Sequence, residues 1–293
     1  MRDIVIVSIF IVLGGITAME IGIITAIAEL IAGMIARVIL DYNLISFQTP
    51  DIINVLADIG MLTLMYVAGL EIDLDMLSKK LKKSVIMGFS SFIFPFTAIF
   101  LFAIYMVPSF IPLSIEEALL SAIIISSTSI SIIYPILIKR SHGQLGEEEK
   151  LVLCMAMVGE LITICAWSIF FLEVSLQLIA FIIFLSIFTI MFPYFGKKIF
   201  SRFKGNASEF EFKVILLLLL VIAVMSEEAG AEAAIIAFLM GMVTSEVIIE
   251  HKNLLVKLRG IVFGFFAPIF FFKVGLDIDF IHIVSEFIKV FSP

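Results

Sequence analysis

The chain is dominated by apolar runs of about 20 residues, separated by short polar segments. A helix of about 20 residues crosses the ~30 Å hydrocarbon core of a membrane, and only helices or closed barrels satisfy their backbone groups there. Strands of membrane barrels alternate in polarity, and these runs do not. The sequence therefore predicts an all-α polytopic membrane protein. Ten runs are candidate spans, of which the first and eighth are short; they lie at about residues 4–18, 21–40, 52–70, 85–106, 114–138, 150–172, 175–195, 211–226, 229–248 and 259–278.

The composition, and a further apolar stretch near residue 280, agree with this fold class. Of the 293 residues, 62% are hydrophobic and 15% are charged, whereas a soluble domain has about half and a quarter. A partial eleventh span begins at Phe280. The basic residues stand in short clusters between apolar runs, so membrane lipid, and not nucleic acid, is the expected partner.

The basic clusters predict an orientation. Each cluster follows an odd-numbered span, and the alternate loops carry almost none. Because cytoplasmic loops are enriched in Lys and Arg, the odd-numbered ends are predicted to be cytoplasmic and the N-terminus to lie outside, in the plasma membrane. Arg37, near the outer end of the second span, is the exception. The clusters comprise Lys79, Lys80, Lys82 and Lys83; Lys139 and Arg140; Lys197, Lys198, Arg202 and Lys204; and Lys252, Lys257 and Arg259.

Two nearly identical pentapeptides end long apolar runs. "GLEID" occupies residues 69–73 and "GLDID" occupies residues 275–279, at the ends of the third and tenth spans. "AGMI" (32–35) and "MGMV" (240–243) precede them at nearly the same offset. An odd number of crossings separates the copies, so they are predicted to point in opposite directions. Inverted repeats are typical of secondary transporters with a site near the membrane midplane. The alternative is that this pentapeptide is a common way to end an apolar helix.

The candidate cation and proton site combines one acid with a run of hydroxyls. Glu160 is predicted near the centre of the sixth span, where a charge costs about 2.5–3.5 kcal/mol and needs a partner, a proton or a cation. The fifth span carries Ser127, Thr128 and Ser129 in mid-membrane, and the tenth span carries a comparable signal for a break at Ala267–Pro268. Such hydroxyls can satisfy an unwound backbone, and together with freed carbonyls they suit a small hard cation. The alternatives are a protonated Glu bonded to a neighbouring helix, and Ser/Thr side chains bonded within an intact helix.

Three further charged residues inside spans are candidate supporting residues. Lys273 lies one turn from the outer end of its span and is predicted either to snorkel to the interface or to pair with a buried acid. Asp58 is predicted to line a cavity about two turns into the third span. Glu29 stands among small residues in the second span and is predicted to make a buried polar contact in a packing helix. The sequence carries no transition-metal ligand spacing, phosphate loop or nucleophile–base pair, so neither a cofactor nor an enzyme activity is predicted.

Five segments identify a family resemblance: "LADIGMLTLMYVAGLEID", "ISSTSISIIYPIL", "MAMVGELITI", "AGAEAAIIAFLMGMV" and "FGFFAPIFFFKVGLDID". Their order resembles that in the monovalent cation:proton antiporters of the second superfamily, which includes bacterial Na⁺/H⁺ antiporters and K⁺-efflux systems. The resemblance implies a thirteen-helix fold that works as an elevator in a homodimer. It implies dimerisation-type helices at about 4–40 and 175–248, core-type helices at about 85–172, and two broken helices in the core. Thr128 and its serine neighbours would mark the first broken helix, and Glu160 would be the cation- and proton-binding acid.

Two departures from the family pattern are present. The residue before the essential acid is usually Asp or Asn, and here it is Gly159. The copies of spans four to six should also follow "GLDID", which would need about ninety residues. The second core repeat is therefore expected to be mostly absent after residue 278, and Lys273 does not occupy the family's core basic position. The expected explanation is a C-terminally truncated fragment; a natural half-core relative and a partner-dependent subunit are the alternatives.

The sequence thus predicts a secondary active transporter that exchanges a monovalent cation, Na⁺ or K⁺, for protons by alternating access. A first alternative is a K⁺ channel or efflux system on the same scaffold. A second is a non-transporting pseudo-transporter subunit, which would agree with Gly159. A third is a Na⁺-coupled organic-solute symporter on the related ten-helix fold.

Overall fold

A computed structural model describes residues 2–42, 51–72, 74–106, 113–171, 176–203, 210–249 and 252–291. Within these ranges the chain forms helices joined by turns and contains no strand, which confirms the all-α class. Lys204, from one of the basic clusters, and Asp73, the last residue of "GLEID", lie outside the described residues. The helices are α1 (Arg2–Ile21), α2 (Thr25–Asp41), α3 (Asp51–Leu70), α4 (Leu74–Tyr105), α5 (Ile115–Ser126), α6 (Ile130–Arg140), α7 (Glu147–Phe171), α8 (Leu176–Phe203), α9 (Phe210–Ala229), α10 (Ala233–Ile249), α11 (Lys252–Ile261), α12 (Ala267–Asp277) and α13 (Phe280–Phe291).

The predicted spans correspond to these helices. In the described part of the chain, six helical segments are long and apolar enough to cross a membrane: Arg2–Ile21, Asp51–Leu70, Lys82–Tyr105, Ile115–Arg140, Glu147–Phe170 and Leu254–Ser285. The other predicted spans coincide with α2, α8, α9 and α10, of which α2 and α10 have only 17 residues each. The protein is therefore a multi-pass membrane protein.

The chain divides into two compact units, the first made of Met1–Leu64 with Leu255–Pro293 and the second of Met65–Leu254. In the first unit, α2 packs against α1 and α12. Glycines permit this contact, because a Cβ on Gly33 would overlap the carbonyl of Phe272 and a Cβ on Gly275 would overlap the carbonyl of Leu30. The buried core of this unit consists of Val7, Ala32, Ala36, Ile53, Ala57, Ile269, Phe272 and Leu276.

The first unit also explains the exceptional position of Arg37. Its Nε lies 3.0 Å from Asp41 Oδ1 and its guanidinium lies 3.5 Å from Asp279 Oδ2, the last residue of "GLDID". Two aspartates thus neutralise this arginine. A basic residue held in such pairs is weaker evidence about orientation than a free cluster.

In the second unit, α4 packs against α5 and α7, while α8, α9 and α10 pack together. The last turn of α3 lies against α10 through glycines: a Cβ on Gly69 would overlap the Phe238 carbonyl and stand 3.0 Å from the Cα of Gly241. The hydroxyls of Tyr66 and Thr244 join the same two helices at 2.9 Å. These contacts fix the end of α3 against α10.

The two pentapeptide copies have the same packing role. The "GLDID" helix α12 packs on the "AGMI" segment of α2, and the "GLEID" helix α3 packs on the "MGMV" segment of α10. Each helix of one copy therefore contacts the preceding helix of the other copy. This reciprocity favours a structural repeat over a coincidence of helix endings. The opposite orientation of the copies, and the division into dimerisation-type and core-type helices, stay predictions.

Candidate functional site

The fifth predicted span is a broken helix, as the hydroxyl run indicated. α5 starts at a capping box, in which the Glu117 amide donates to Ser114 Oγ at 3.2 Å and the Ser114 amide donates to the Glu117 carboxylate at 2.7 Å. The helix stops at Ser126, and α6 begins at Ile130. Ser127 and Ser129 both have extended backbone conformations. The break leaves the carbonyls of α5 and the amides of α6 without partners in their own helices, so a negative and a positive helix end meet there.

The hydroxyls around the break make local hydrogen bonds, and none of them caps the start of α6. Ser126 Oγ donates back to the Ala122 carbonyl at 2.5 Å, and the hydroxyls of Ser129 and Ser131 join at 2.7 Å. Side chains of this kind compete with the helical hydrogen-bond ladder, which is why a run of them favours an interruption. Pro135, by contrast, lies inside the intact α6.

The break expected at Ala267–Pro268 takes a different form. The chain there is not unwound: a π-helical turn, Val262–Phe266, leads directly into α12, and Ala267 has helical backbone angles. Pro268 has no N–H and crowds the carbonyl four residues earlier. A π turn is wider than an α-helical turn, so it moves that carbonyl away from the proline ring and keeps the helix continuous.

Glu160 of α7 lies at the break in the fifth span. The backbone amide of Ile130, the first residue of α6, donates to its carboxylate. One carboxylate oxygen, Oε2, is buried and has no hydrogen-bond partner among the described residues. The amide end of a helix stabilises negative charge. Glu232 is close enough for its like charge to act on Glu160. The site therefore offers a carboxylate beside the amide end of α6, with Oε2 able to take a proton or a cation.

The residue before Glu160, Gly159, lies near Thr128 of the break and near α4. A Cβ placed on Gly159 would lie 3.3 Å from Ser91 Oγ, 3.7 Å from Thr128 Oγ1 and 3.7 Å from the Gly88 carbonyl. Successive residues of a helix point about 100° apart, so Gly159 and Glu160 address two different parts of the interrupted segment. The position at which the family usually has an acid is here surrounded by oxygen atoms.

The structure assigns the predicted residues to different units. Glu160, Ser127, Thr128 and Ser129 belong to the second unit, where Thr128 lies near Gly159 and α7 passes the break. The candidate supporting residues Lys273, Asp58 and Glu29 belong to the first.

The three supporting residues have distinct surroundings. Lys273 pairs with Asp277 one turn along the same helix, and that aspartate is exposed, so the alternative of a pair with a buried acid is not what the structure contains; snorkelling to the interface stays a prediction. Asp58 is exposed on α3, and its predicted place in the lining of a cavity stays a prediction. Glu29 is 6% exposed and lies on the closely packed α2, and the buried polar contact predicted for it stays a prediction.

Sequence reasoning missed several residues around the site. Ser91 comes from α4, and the Ile130 contact uses a backbone amide, so neither carries a sequence signal. Tyr134 of α6 donates to the buried Glu71 of "GLEID" at 3.1 Å, which ties the end of α3 to the second half of the broken helix. The clue for this contact was an acid directly following an apolar span. In the described ranges, no three His, Cys, Asp or Glu side chains come together to hold a metal ion.

The transmembrane sodium/hydrogen exchanger family matches the chain over residues 5–292, and the chain belongs to that family. It is a family of transporters and not of enzymes. The chain is 30% identical over 257 residues to the probable Na⁺/H⁺ antiporter 3 of Methanocaldococcus jannaschii, covering 83% of this chain and 64% of the relative. It is 24% identical over 266 residues to a Na⁺/H⁺ antiporter of Enterococcus hirae, covering 87% and 68%.

A third relative carries a second cation in its name. The chain is 24% identical over 244 residues to a Na⁺/H⁺–K⁺ antiporter of Bacillus cereus, covering 80% of this chain and 60% of the relative. The chain thus spans between 60% and 68% of the length of these three relatives.

Proposed function

We propose that this protein exchanges Na⁺ or K⁺ for protons across the membrane, with Glu160 binding the proton and the cation in turn. The observation that carries the proposal is the Glu160 carboxylate at the break between α5 and α6, beside the Ile130 amide and with its Oε2 buried without a hydrogen-bond partner among the described residues. A buried carboxylate oxygen without a hydrogen-bond donor is costly unless a proton or a cation occupies it. The names of the relatives, a Na⁺/H⁺ antiporter and a Na⁺/H⁺–K⁺ antiporter, support an exchange of these cations for protons.

Competition for a single carboxylate couples the two fluxes. Protonated Glu160 releases H⁺ as a cation binds the carboxylate, and the cation leaves as a proton returns. Ser127, Thr128 and the terminal carbonyls of α5 would supply neutral oxygens, which suit hard cations. Alternating access then requires the site to open to one side at a time. We propose that this occurs in a homodimer in the plasma membrane with the N-terminus outside.

Glu160→Gln is the direct test, because the amide keeps the size of the side chain and removes its exchangeable charge. Full-length protein is reconstituted into proteoliposomes with an imposed pH gradient, and dissipation of the gradient after addition of Na⁺ or K⁺ is followed with a pH-sensitive dye. We expect no cation-dependent dissipation with Glu160→Gln. Glu116→Gln, a matched change on the exposed first turn of α5, should retain the wild-type rate. A Glu160→Gln protein that still exchanges ions refutes the proposal.

Gly159 favours a second candidate, a non-transporting subunit, because the first acid of the usual pair is absent. A wild-type protein that is folded and stable but shows no cation-dependent proton flux supports this alternative. If the wild-type protein conducts K⁺ far faster than a carrier can turn over, that result would instead indicate the K⁺ channel alternative.

A further inference from the structure

The absence of a side chain at residue 159 creates a small space with oxygen atoms on its border. Ser91 Oγ of α4 and Thr128 Oγ1 of the break both lie within 4 Å of the position that a Cβ would take. These separations, 3.3 and 3.7 Å, are tight or ordinary van der Waals contacts and not overlaps. Packing alone therefore does not demand glycine here, in contrast with Gly33, Gly69 and Gly241.

The hydroxyl of Ser91 is oriented to present its lone pairs. Its proton goes to the Gly88 carbonyl, with Ser91 Oγ 2.7 Å from that oxygen. A hydroxyl that has donated its only hydrogen acts toward other groups as an acceptor, which is the state that a cation requires. The Ser91 side chain is also exposed on α4.

Close packing of α4 on α7 holds Ser91 in register with the break. A Cβ on Gly88 would stand 2.6 Å from Val158 Cβ and 2.8 Å from the Met155 carbonyl. The two helices consequently approach backbone to backbone one turn before Ser91. A ligand carried on such a contact keeps its position relative to Gly159 and Glu160.

We propose that Ser91 is a cation ligand of this chain and that, with Thr128, it supplies neutral oxygens where the family's first acid is missing. The proposal rests on the proposed function, since it adds a ligand to the same site. It assigns the ion a set made of the Glu160 carboxylate and of the hydroxyl oxygens that border Gly159, the preceding residue of α7. A hydroxyl contributes to cation affinity without competing for the proton, so its loss weakens cation binding more than it slows proton release.

The test compares Ser91→Ala with Ser90→Ala. Ser90 is the adjacent residue of α4, and its hydroxyl likewise donates to a carbonyl of its own helix, that of Ile86 at 2.7 Å, so the chemical change is identical. Cation concentration is titrated in the proteoliposome assay at fixed pH. We expect Ser91→Ala to raise the half-saturating concentration of Na⁺ or K⁺ about five- to tenfold with the maximal rate nearly kept, and Ser90→Ala to leave both unchanged.

Two further variants keep the test decisive if Ser91→Ala does not fold. Ser91→Thr retains the hydroxyl and should restore wild-type half-saturation. Gly159→Ala fills the space from the other side and should raise half-saturation while Ser91 is intact. Equal half-saturation in wild type, Ser91→Ala and Gly159→Ala overturns the ligand assignment and leaves Glu160 exchange standing. A wild-type protein with no cation-dependent flux overturns both proposals.

Discussion

Gly241→Ala is predicted to destabilise the protein, because this glycine permits α10 to contact the end of α3. The added Cβ would overlap the Tyr66 carbonyl, stand 2.9 Å from the Cα of Gly69 and stand 3.0 Å from the Leu70 nitrogen. All three obstacles are backbone atoms, which cannot turn aside as a flexible side chain can. The helices must therefore separate by roughly 1 Å to regain ordinary contact distances.

The size of this destabilisation follows from two unfavourable contributions and one favourable contribution. Inserting a methyl into a packed interface costs about 1–3 kcal/mol. Separating the helices also weakens the 2.9 Å hydrogen bond between Tyr66 and Thr244, and such bonds are worth about 0.6 and at most about 1.7 kcal/mol in membrane proteins. Alanine recovers about 1 kcal/mol of helix propensity relative to glycine. The net expectation is a loss of about 1–3 kcal/mol in the free energy of unfolding.

The assay is unfolding in mixed micelles by SDS titration, followed by circular dichroism. Gly15→Ala in α1 is the matched control, since a Cβ there meets nothing within 4 Å. The control should leave the free energy of unfolding unchanged or raise it slightly, whereas Gly241→Ala should lower it. If both proteins unfold at the same SDS fraction, the close approach of α3 and α10 does not contribute to stability. That result would refute the stabilising role assigned to Gly241.

Two other predictions concern the α6 contact and the orientation. Tyr134→Phe removes the donor to the buried Glu71, so it should lower the free energy of unfolding by about 0.5–1.5 kcal/mol. Glu71→Gln keeps an acceptor and should cost less; the reverse order in SDS titration would contradict the assigned bond. In a cysteine-free background, Glu116→Cys should react on intact cells with a membrane-impermeant maleimide, and Gln144→Cys only after permeabilisation. Labelling of Gln144→Cys from outside would reverse the predicted topology.

Several features could be predicted from the sequence because they depend on neighbouring residues. The length and uniformity of the apolar runs predicted the helices. The hydroxyl run at 126–131 predicted the break in the fifth span, since side chains that compete with the local ladder lie within the same turn. The position of Glu160 in mid-span predicted a buried carboxylate in need of a partner. Pro268 misled the interpretation, because a proline can be absorbed by a π turn as well as by unwinding.

Other features depend on packing between distant segments, so no local pattern carries them. The Ile130 amide reaches Glu160 only because α6 begins beside α7. Ser91 faces Gly159 because Gly88 allows α4 to approach α7. Lys273 pairs within its own helix and not with a buried acid, which the spacing of charges in the sequence left open.

The amino-acid sequence by itself determined that this protein is a helical membrane protein, where one helix is interrupted and which acid lies at that depth. Those properties follow from burial in hydrocarbon and from hydrogen bonding within a few residues. The tertiary structure alone decided which backbone amide holds Glu160, which hydroxyls surround Gly159 and how the two pentapeptide helices pack. Such contacts are set by how closely two backbones approach, and that distance depends on side chains, or their absence, in segments far apart along the chain.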